Sequence, residues 1–291
     1  MKSILAHADY LSCLVLYLAL LCVPPMARAA PDAQSAGVAP TPPSIVPPPI
    51  ETPSRNATEQ AIAGRLELIL AGAEIMWLVA PAEEFLAVYR ESEIQPPNGA
   101  IIINTANGLV VDNSRVHRVI AEGAASSGWT SLSIQPIANN AASTSVPEER
   151  AHLRLNSAVE YVRRQGIENI IVVGDAGGAN TAIQFITKSS PAGVVAAVGL
   201  GMWDEDLTGT DIPVLDIVGT RDHQALIKHQ TRAAKTRRRA NRVDLITIDG
   251  ADASFSGYED IIAKRLRGWL ERITPGVAVR RRYPNAAPGG P

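Results

Sequence analysis

The chain has 291 residues, of which 46% are hydrophobic and 19% charged, and its formal net charge is −2. This is the composition of an ordinary globular protein with enough apolar residues for a sizeable core. The near-neutral charge argues against a nucleic-acid-binding or polybasic membrane protein, so we expect no nucleic-acid partner. The two short basic clusters, at 237–239 and 280–282, are expected to be solvated surface.

The first 29 residues predict a secretory signal peptide. Lys2 gives a weak positive start, residues 10–23 form an apolar run, and Ala-Arg-Ala at 27–29 supplies the small residues of a cleavage site before Ala30. The run is short for a membrane span, which needs roughly 20 apolar residues, although an uncleaved anchor is the alternative. We therefore expect a periplasmic or secreted protein with no membrane span after cleavage.

Both cysteines, Cys13 and Cys22, lie in this signal segment. A mature chain that begins at Ala30 would have no cysteine, which excludes disulfides, a thiol nucleophile and cysteine metal ligands. Carboxylates and histidines do not cluster at ligand spacing, and there is no phosphate loop or dinucleotide-binding fingerprint. The sequence therefore predicts no metal and no cofactor.

Proline and alanine dominate residues 30–55, which predicts an extended linker with no core of its own. The chain after Thr274 ends Ala-Ala-Pro-Gly-Gly-Pro, so residues 275–291 are predicted to be a disordered tail. Residues 56–274 between them have the size of one domain.

Helical and strand-like patterns alternate through this domain. In chain order the patterns predict a helix at 57–70, strands at 75–80, 85–90 and 100–104, a helix at 114–126, a strand at 128–134, a helix at 148–165, a strand at 169–173, a helix at 179–188, strands at 194–200 and 214–218, a helix at 224–239, a strand at 243–248 and a helix at 258–273. The first two strands, joined by Pro-Ala-Glu-Glu at 81–84, predict a hairpin.

Apolar strands that alternate with amphipathic helices predict an α/β fold whose mostly parallel sheet is covered by helices on both faces. The sheet is expected to have about eight strands, with the antiparallel hairpin first. Ligand sites in such sheets form at the carboxyl ends of the strands.

One of these carboxyl ends has the pattern of a nucleophile elbow. The strand at 169–173 runs into Gly174, Asp175, Ala176, Gly177 and Gly178, and a helix follows, as in the strand–turn–helix motif G-x-S-x-G. Small flanking residues are needed because the turn is tight and the helix packs close to the strand. In this register Ala176 takes the serine position and offers no nucleophile.

A register shifted by one residue makes Asp175 the central residue. The turn then resembles the elbow of haloalkane dehalogenases and epoxide hydrolases, in which an aspartate attacks carbon. A carboxylate can act as a covalent nucleophile. The alternative for Asp175 is a helix-start residue whose oxygens accept backbone N–H groups.

In this motif the orienting acid follows the nucleophile in the chain, and the histidine base comes last. Asp222, in the loop after the strand at 214–218, lies where the acid is expected, with a helix cap as its other role. Asp216 within that strand is the weaker candidate. The base is expected after the last strand, where Gly-Ala-Asp at 250–252 leads to Ala253 instead of a histidine.

The other histidines of the mature chain are His117, His152, His223 and His229. His117 and His152 fall on predicted helices, where we expect surface positions. His223 adjoins the acid position and is either a cleft residue or a surface residue. A serine nucleophile needs an imidazole within hydrogen-bond reach, and none of these positions supplies one by sequence.

The remaining cleft candidates are backbone and amide groups. The loop that follows the strand at 100–104 contains Asn107 and Gly108, whose N–H groups are candidate oxyanion donors, although Asn-Gly is also an ordinary turn. Gly177 belongs to the same cleft. The connection at 201–209 is too short for a lid, so we expect an open cleft rather than a pocket that excludes water.

Residues 73–273 resemble a family of secreted bacterial α/β-hydrolase-like proteins of unknown function. The resemblance rests on Trp-Leu at 77–78, Phe-Leu-Ala-Val-Tyr at 85–89, Gly-Trp-Thr-Ser-Leu at 128–132, Gly-Asp-Ala-Gly-Gly-Ala at 174–179, Pro-Val-Leu-Asp-Ile at 213–217 and Arg-Leu-Arg-Gly-Trp-Leu at 265–270. That family commonly has a small residue in place of the elbow serine, which favours the register centred on Ala176. It tends to keep a histidine after Gly-Ala-Asp, and this chain departs from it with Ala253. The resemblance implies an α/β-hydrolase-like fold and names no substrate.

Three functions are open at this point. The first is a catalytically degenerate protein that binds an unknown small ligand or an envelope protein. The second is a weak esterase-type or Asp-nucleophile hydrolase that uses Asp175, or a non-standard serine such as Ser254, in the same cleft. The third is a purely structural envelope component, which a large exposed apolar patch beside the cleft would favour.

Overall fold

The computed structural model describes residues 54–81, 83–106, 109–112, 114–137, 148–203, 206–236 and 243–274. The predicted signal peptide, nearly all of the predicted linker and the predicted tail lie outside these ranges. So do both basic clusters and the candidate cleft residues Asn107 and Gly108. No helix within the described ranges combines the length and the apolar character needed to cross a membrane.

Nine strands and six helices are found in the described ranges. The strands are β1 (Ser54–Arg55), β2 (Glu74–Ala80), β3 (Glu83–Arg90), β4 (Gly99–Asn104), β5 (Trp129–Ile134), β6 (Ile170–Asp175), β7 (Val194–Leu200), β8 (Val214–Gly219) and β9 (Val243–Ile248). The helices are α1 (Ala57–Ile69), α2 (Arg115–Ser126), α3 (Glu148–Arg164), α4 (Ala176–Ser189), α5 (His223–Thr236) and α6 (Glu259–Ile273), with a 3₁₀ turn at Leu207–Gly209.

All strands belong to one sheet with the order β1-β3-β5-β4-β6-β7-β8-β9, and β2 pairs with β3. The pairs β2–β3 and β3–β5 are antiparallel, whereas every pair from β5–β4 to β8–β9 is parallel. This confirms the predicted α/β fold, its eight strands and its leading hairpin. The two-residue strand β1, which pairs with the start of β3, was not predicted.

The hairpin turn is tighter than the sequence pattern predicted. Glu83 and Glu84 belong to β3 and not to the turn, because β3 begins at Glu83. Glu83 pairs with Ala80 of β2, so both acidic residues are part of the sheet.

The central strands of the sheet are buried on both faces because helices cover both faces. In β6, Ile170 and Val172 pack in a core cluster with α3 and α4. Ile171 and Val173 point the other way and pack in a second cluster with α2 and α6. Successive side chains of a strand point to opposite faces, so a continuous apolar run is what a doubly covered strand requires.

A buried ionic network connects α1, β3 and α3. Arg154 is only 2% exposed; it donates to Glu59 Oε1 (2.8 Å) and to both carboxylate oxygens of Glu83 (2.9 and 2.6 Å). Glu59 Oε2 accepts the backbone N–H of Leu86 (2.7 Å), and Arg150 donates to Glu83 from the rim of the network. The network therefore fixes the first helix to the sheet and to α3.

We expect Glu83 to make stability sensitive to acid. Burial alone would raise the pKa of Glu83, but hydrogen bonds and charge from Arg150 and Arg154 outweigh burial and lower the pKa from 4.5 to about 2. A carboxyl group whose pKa is lowered on folding stabilises the fold at pH values above its pKa in the unfolded chain. This stabilisation, about 3 kcal/mol, is lost as the pH falls from about 4.5 through 2. Urea unfolding between pH 7 and pH 2.5 should show this loss. A Glu83→Gln variant, which has no proton to take up at this position, should show a shallower pH dependence, and equal slopes would contradict the assignment.

Candidate functional site

The junction of β6 and α4 has the geometry of a nucleophile elbow. Ala176, the first residue of α4, has a backbone φ of +40°. Residues other than glycine rarely adopt this conformation, and the turn of a nucleophile elbow is strained in this way. A Cβ added to Gly174 would overlap the backbone of Ala179, and one added to Gly178 would overlap the carbonyl oxygen of Asn104. The small residues on either side of Ala176 are therefore required by packing.

The two glycines that follow Ala176 should respond differently to the same substitution. Gly178→Ala forces a methyl group into the backbone of Asn104 and is expected to destabilise the fold by about 1–3 kcal/mol. Nothing lies within 4 Å of a Cβ added to Gly177, so Gly177→Ala should be neutral or stabilise the helix by up to about 1 kcal/mol. Thermal unfolding of the two variants tests the close approach of α4 to β4. Equal changes in stability for Gly178→Ala and Gly177→Ala would contradict it.

Asp175 holds the loop after β4 and does not cap α4. It is the N-cap residue of α4, but its side chain makes no capping hydrogen bond. Instead Oδ1 accepts the backbone N–H of Ala106 (2.8 Å), and Oδ2 lies 3.5 Å from Nε2 of His117. Asp175 thus stands at the helix start, as one alternative from the sequence had it, but the backbone N–H that its carboxylate accepts belongs to the loop after β4 and not to α4. Its side chain is 18% exposed.

His117 is buried beneath this loop and not on the surface as the sequence predicted. Its side chain is 1% exposed, and Nδ1 lies 3.1 Å from Oγ1 of Thr105. Burial lowers the pKa of His117, while the charge of Asp175 acts in the opposite direction. The sequence spacing could have indicated this burial, because His117, Ala121 and Ala124 recur at the spacing of one helix face, and that face of α2 is buried.

Asp222 lies after β8 and begins α5. Its Oδ1 accepts the N–H of Ala225 (3.1 Å), and its carbonyl accepts the N–H of Leu226 (2.8 Å). This is a helix cap, as the sequence allowed. Its Oδ2 is buried and has no hydrogen-bond partner among the described residues. One carboxylate oxygen of the candidate acid is therefore left without a donor among the described residues.

The loop after β9 packs against the turn that carries Asp222. The N–H of Arg221 donates to the carbonyl of Ala251 (2.8 Å), and the N–H of Gly250 donates to Oγ1 of Thr220 (2.8 Å). Ala253, in the expected histidine position, is exposed two residues beyond Ala251. The structure thus brings together the two loops that would hold an acid and a base, and the base position carries a methyl group.

The other sequence candidates lie outside this arrangement. Asp216 is fully buried within β8, where Oδ2 bonds to His229 Nδ1 (2.9 Å) and Arg232 Nε (2.8 Å). His223 is exposed on the first turn of α5, which agrees with the surface alternative. Ser254 is exposed and donates its hydroxyl to Asp252 (2.7 Å).

The surface expectation for His152 is only partly right. Its side chain is 16% exposed, and its ring lies 5.8 Å from that of Phe185. It belongs to α3 and takes no part in the elbow.

Two exposed apolar side chains follow the strands on either side of β6. Leu109 comes after β4 and is 45% exposed, and Trp203 comes after β7 and is 44% exposed. The backbone N–H of Trp203 donates to Oδ1 of Asn180 on the second turn of α4 (3.3 Å), which ties this loop to the elbow helix. Sequence analysis did not single out these residues. No group of three or more potential metal ligands occurs in the described part of the chain.

Several solved structures similar to this one are described as hydrolases or esterases. A dienelactone hydrolase from Anabaena variabilis aligns with a TM-score of 0.59 at 15% identity, covering 69% of this chain and 99% of its own. An α/β serine hydrolase without a lid from Xanthomonas campestris gives 0.58 at 13% identity, with coverage of 72% and 99%. An esterase from Pyrococcus furiosus gives 0.56 at 13% identity, with coverage of 69% and 90%. These similarities show an α/β-hydrolase fold.

The family comparison agrees with the resemblance found in the sequence. No curated protein matches the chain. A family model described as "Protein of unknown function (DUF3530)" matches residues 11–152 and 136–272. Because these two matches together span most of the chain, this protein belongs to the DUF3530 family, and its fold is that of the α/β hydrolases.

Proposed function

We propose that this protein is a catalytically degenerate member of the α/β-hydrolase fold that binds a ligand or a partner protein in the cleft at the elbow. The observation that carries the proposal is Ala176. Its backbone φ of +40° is the strained conformation in which the fold presents a nucleophile, yet its side chain is a methyl group. A methyl group can neither attack a carbonyl nor transfer a proton.

The base is missing as well. Asp222 keeps the position of the orienting acid, but its Oδ2 has no donor in the described ranges, and Ala253 offers no imidazole. Loss of the nucleophile and the base leaves only the scaffold, namely the close-packed elbow, the loop held by Asp175 and the capped acid loop. A hydrolase that lacks its nucleophile and its base keeps only a small part of its rate enhancement, which comes from substrate binding and stabilisation of the transition state.

The cleft has features that support binding. The exposed side chains of Leu109 and Trp203 lie after the two strands that flank the elbow strand. An aromatic side chain beside a few oriented polar groups is typical of ligand sites, and Trp is enriched in protein interfaces. The unknown ligand is therefore either a small molecule with apolar surface or an envelope protein that buries Trp203.

A weak hydrolase is the second candidate, and Asp175 is the observation that favours it. Its carboxylate is partly exposed and lies 3.5 Å from an imidazole. Two facts oppose this role: Oδ1 already accepts the N–H of Ala106, and His117 is buried, where it is shielded from a substrate. Ser254, the other nucleophile considered, is exposed and bonded to Asp252.

The first 29 residues support a place of action outside the cytoplasm. A charged start, an apolar run and Ala-Arg-Ala at 27–29 support export across the inner membrane. N-terminal sequencing of the protein recovered from the periplasm or medium is expected to begin at Ala30. A chain that retains Lys2 in a membrane fraction would instead indicate an uncleaved anchor.

The binding role is tested by blocking the cleft without disturbing the fold. Gly177→Trp places a large side chain into open space beside Ala176. Gly64→Trp is the control, because it places the same side chain on α1, away from the elbow in sequence. Nothing lies within 4 Å of a Cβ built at either position. Native mass spectrometry of protein purified from its own envelope fraction is expected to show a bound species with the wild type and Gly64→Trp. Gly177→Trp should lose it. An unliganded wild type, or a bound species that survives in Gly177→Trp, would contradict binding at the elbow.

A further inference from the structure

Strand β2 is an edge of the sheet, at the opposite side from β9. Within the described ranges it pairs with β3 alone, through seven consecutive antiparallel pairs without a bulge. One row of its backbone N–H and C=O groups therefore has no strand partner among the described residues. A row of this kind can form a ladder of hydrogen bonds with a strand of another chain.

The features that usually protect an edge strand are absent from β2. Such strands commonly carry charges, prolines or bulges, whereas the five residues at 75–79 are Ile-Met-Trp-Leu-Val. The helices cover this run incompletely, because Val79 is 59% exposed and residues 75–77 are half-buried. A flat, apolar and partly exposed edge favours association with another strand.

The other edge of the sheet is protected by polar groups. Strand β9 includes Asp244 and Thr247 among its six residues. Asp244 accepts hydrogen bonds from the indole N–H of Trp269 (2.6 Å) and from Arg272 (3.0 Å). Because a charged side chain on an edge strand disfavours pairing with another chain, β2 is the edge at which we expect association.

The apolar residues of β2 are complementary to those of a second β2. In an antiparallel pair with a two-fold axis at Trp77, each Ile75 lies opposite Val79 of the second copy, and the two Trp77 side chains meet. Opposite residues of an antiparallel pair point to the same face and pack against each other. This register therefore covers the exposed Val79 of both copies with apolar side chains.

The charges beside the edge fit the same register. Glu74, at the start of β2, is exposed and lies opposite Ala80 of the second copy. Ala80 pairs with Glu83 of β3, to which Arg150 donates from a side chain that is 45% exposed. The paired residues point to one face of the sheet, so Glu74 approaches Arg150 of the second copy across the small side chain of Ala80. The two-fold axis repeats this contact at the other end.

We propose that this protein forms a two-fold dimer in which the β2 strands of two copies pair antiparallel and join two nine-stranded sheets into one. The partner is a second copy because the register centred on Trp77 covers the exposed apolar residues of both strands. It also brings each Glu74 to an arginine. Seven residue pairs extend about 24 Å, and the two-fold symmetry closes the assembly at two chains because each copy uses its β2 edge.

Sedimentation velocity of the purified protein tests for this dimer. We expect a concentration-dependent shift from monomer to dimer. Val79→Lys places a charge opposite Ile75 of the second copy and should raise the dissociation constant at least about tenfold. Thr247→Lys is the control, because it places the same side chain at an exposed position of the other edge strand, and it should leave the dissociation constant unchanged. A wild type that is monomeric at every concentration, or equal effects of the two lysines, would overturn the proposal.

Disulfide cross-linking tests the register. Cys13 and Cys22 are replaced by serine, so that the introduced cysteines are the only ones. In the double variant Ile75→Cys with Val79→Cys, opposite Cα atoms of the two copies lie about 4.5–5.5 Å apart, a distance that a disulfide spans. Mild oxidation should therefore give a covalent dimer. Val79→Cys alone should not, because its two copies lie about 14 Å apart along the strands. A double variant that stays uncross-linked, or that cross-links no faster than Val79→Cys alone, would contradict the proposed pairing.

Discussion

Replacement of Arg154 by methionine is expected to destabilise the fold by about 3–5 kcal/mol, because the change removes one partner of a buried ionic network. Arg154 is 2% exposed and contacts the carboxylates of Glu59 and Glu83, which are themselves buried. Methionine preserves most of the apolar stem but leaves Glu59 without its cation. Urea unfolding at pH 7 measures the loss of stability.

The matched control for this prediction lies on the same helix. Arg163 forms an exposed pair with Glu160, with 38% and 43% of the two side chains accessible. Arg163→Met should change the free energy of unfolding by no more than about 0.5 kcal/mol, as is usual for surface pairs. If the two variants unfold at the same urea concentration, the network does not hold α1 and α3 to the sheet as described.

Placing a serine and a histidine at the two positions where a triad is expected to have them should create hydrolase activity. In the double variant Ala176→Ser with Ala253→His, the new serine stands at the strained apex of the elbow, and the new imidazole lies on the loop that packs against the turn of Asp222. The free Oδ2 of Asp222 would then accept an imidazole N–H. We expect turnover of p-nitrophenyl butyrate to exceed that of either single variant by about a hundredfold, the scale of general-base catalysis.

The control for the restored triad is the acid. Adding Asp222→Asn to the double variant should remove most of the gained activity, since the imidazole loses the group that orients it. If the double variant folds but is no more active than Ala176→Ser, then position 253 does not reach the elbow, and the cleft is not a hydrolase site that has lost two groups.

The sheet could be predicted from the sequence because its strands have a clear physical signature. The run Ile170–Val173 and its counterparts are apolar at every position, which fits strands covered on both faces. Glycine and proline mark the turns between them. The start of β3 at Glu83 was missed because two consecutive glutamates read as a polar turn, whereas their burial depends on Arg154, 71 residues away in sequence.

The elbow and the acid loop could also be located by sequence, since both follow recognisable strands. The contact of Asp175 with Ala106 could not be, because it joins residues 69 positions apart. His117 was taken for a surface residue because a histidine on a helix usually is one. Its burial depends on the neighbouring Thr105 and Asp175, which only the fold brings beside α2.

The central claim, that the cleft lacks catalysis, is tested most directly by the rate at which the purified protein hydrolyses p-nitrophenyl butyrate. Wild type is measured beside Asp175→Asn and Asp222→Asn. We expect all three to remain at the rate of buffer, since neither carboxylate has a nucleophile and a base to serve. If wild type turns over and either variant loses about a hundredfold or more, the scale expected for a catalytic group, then the cleft is an active site and the binding role proposed here is wrong.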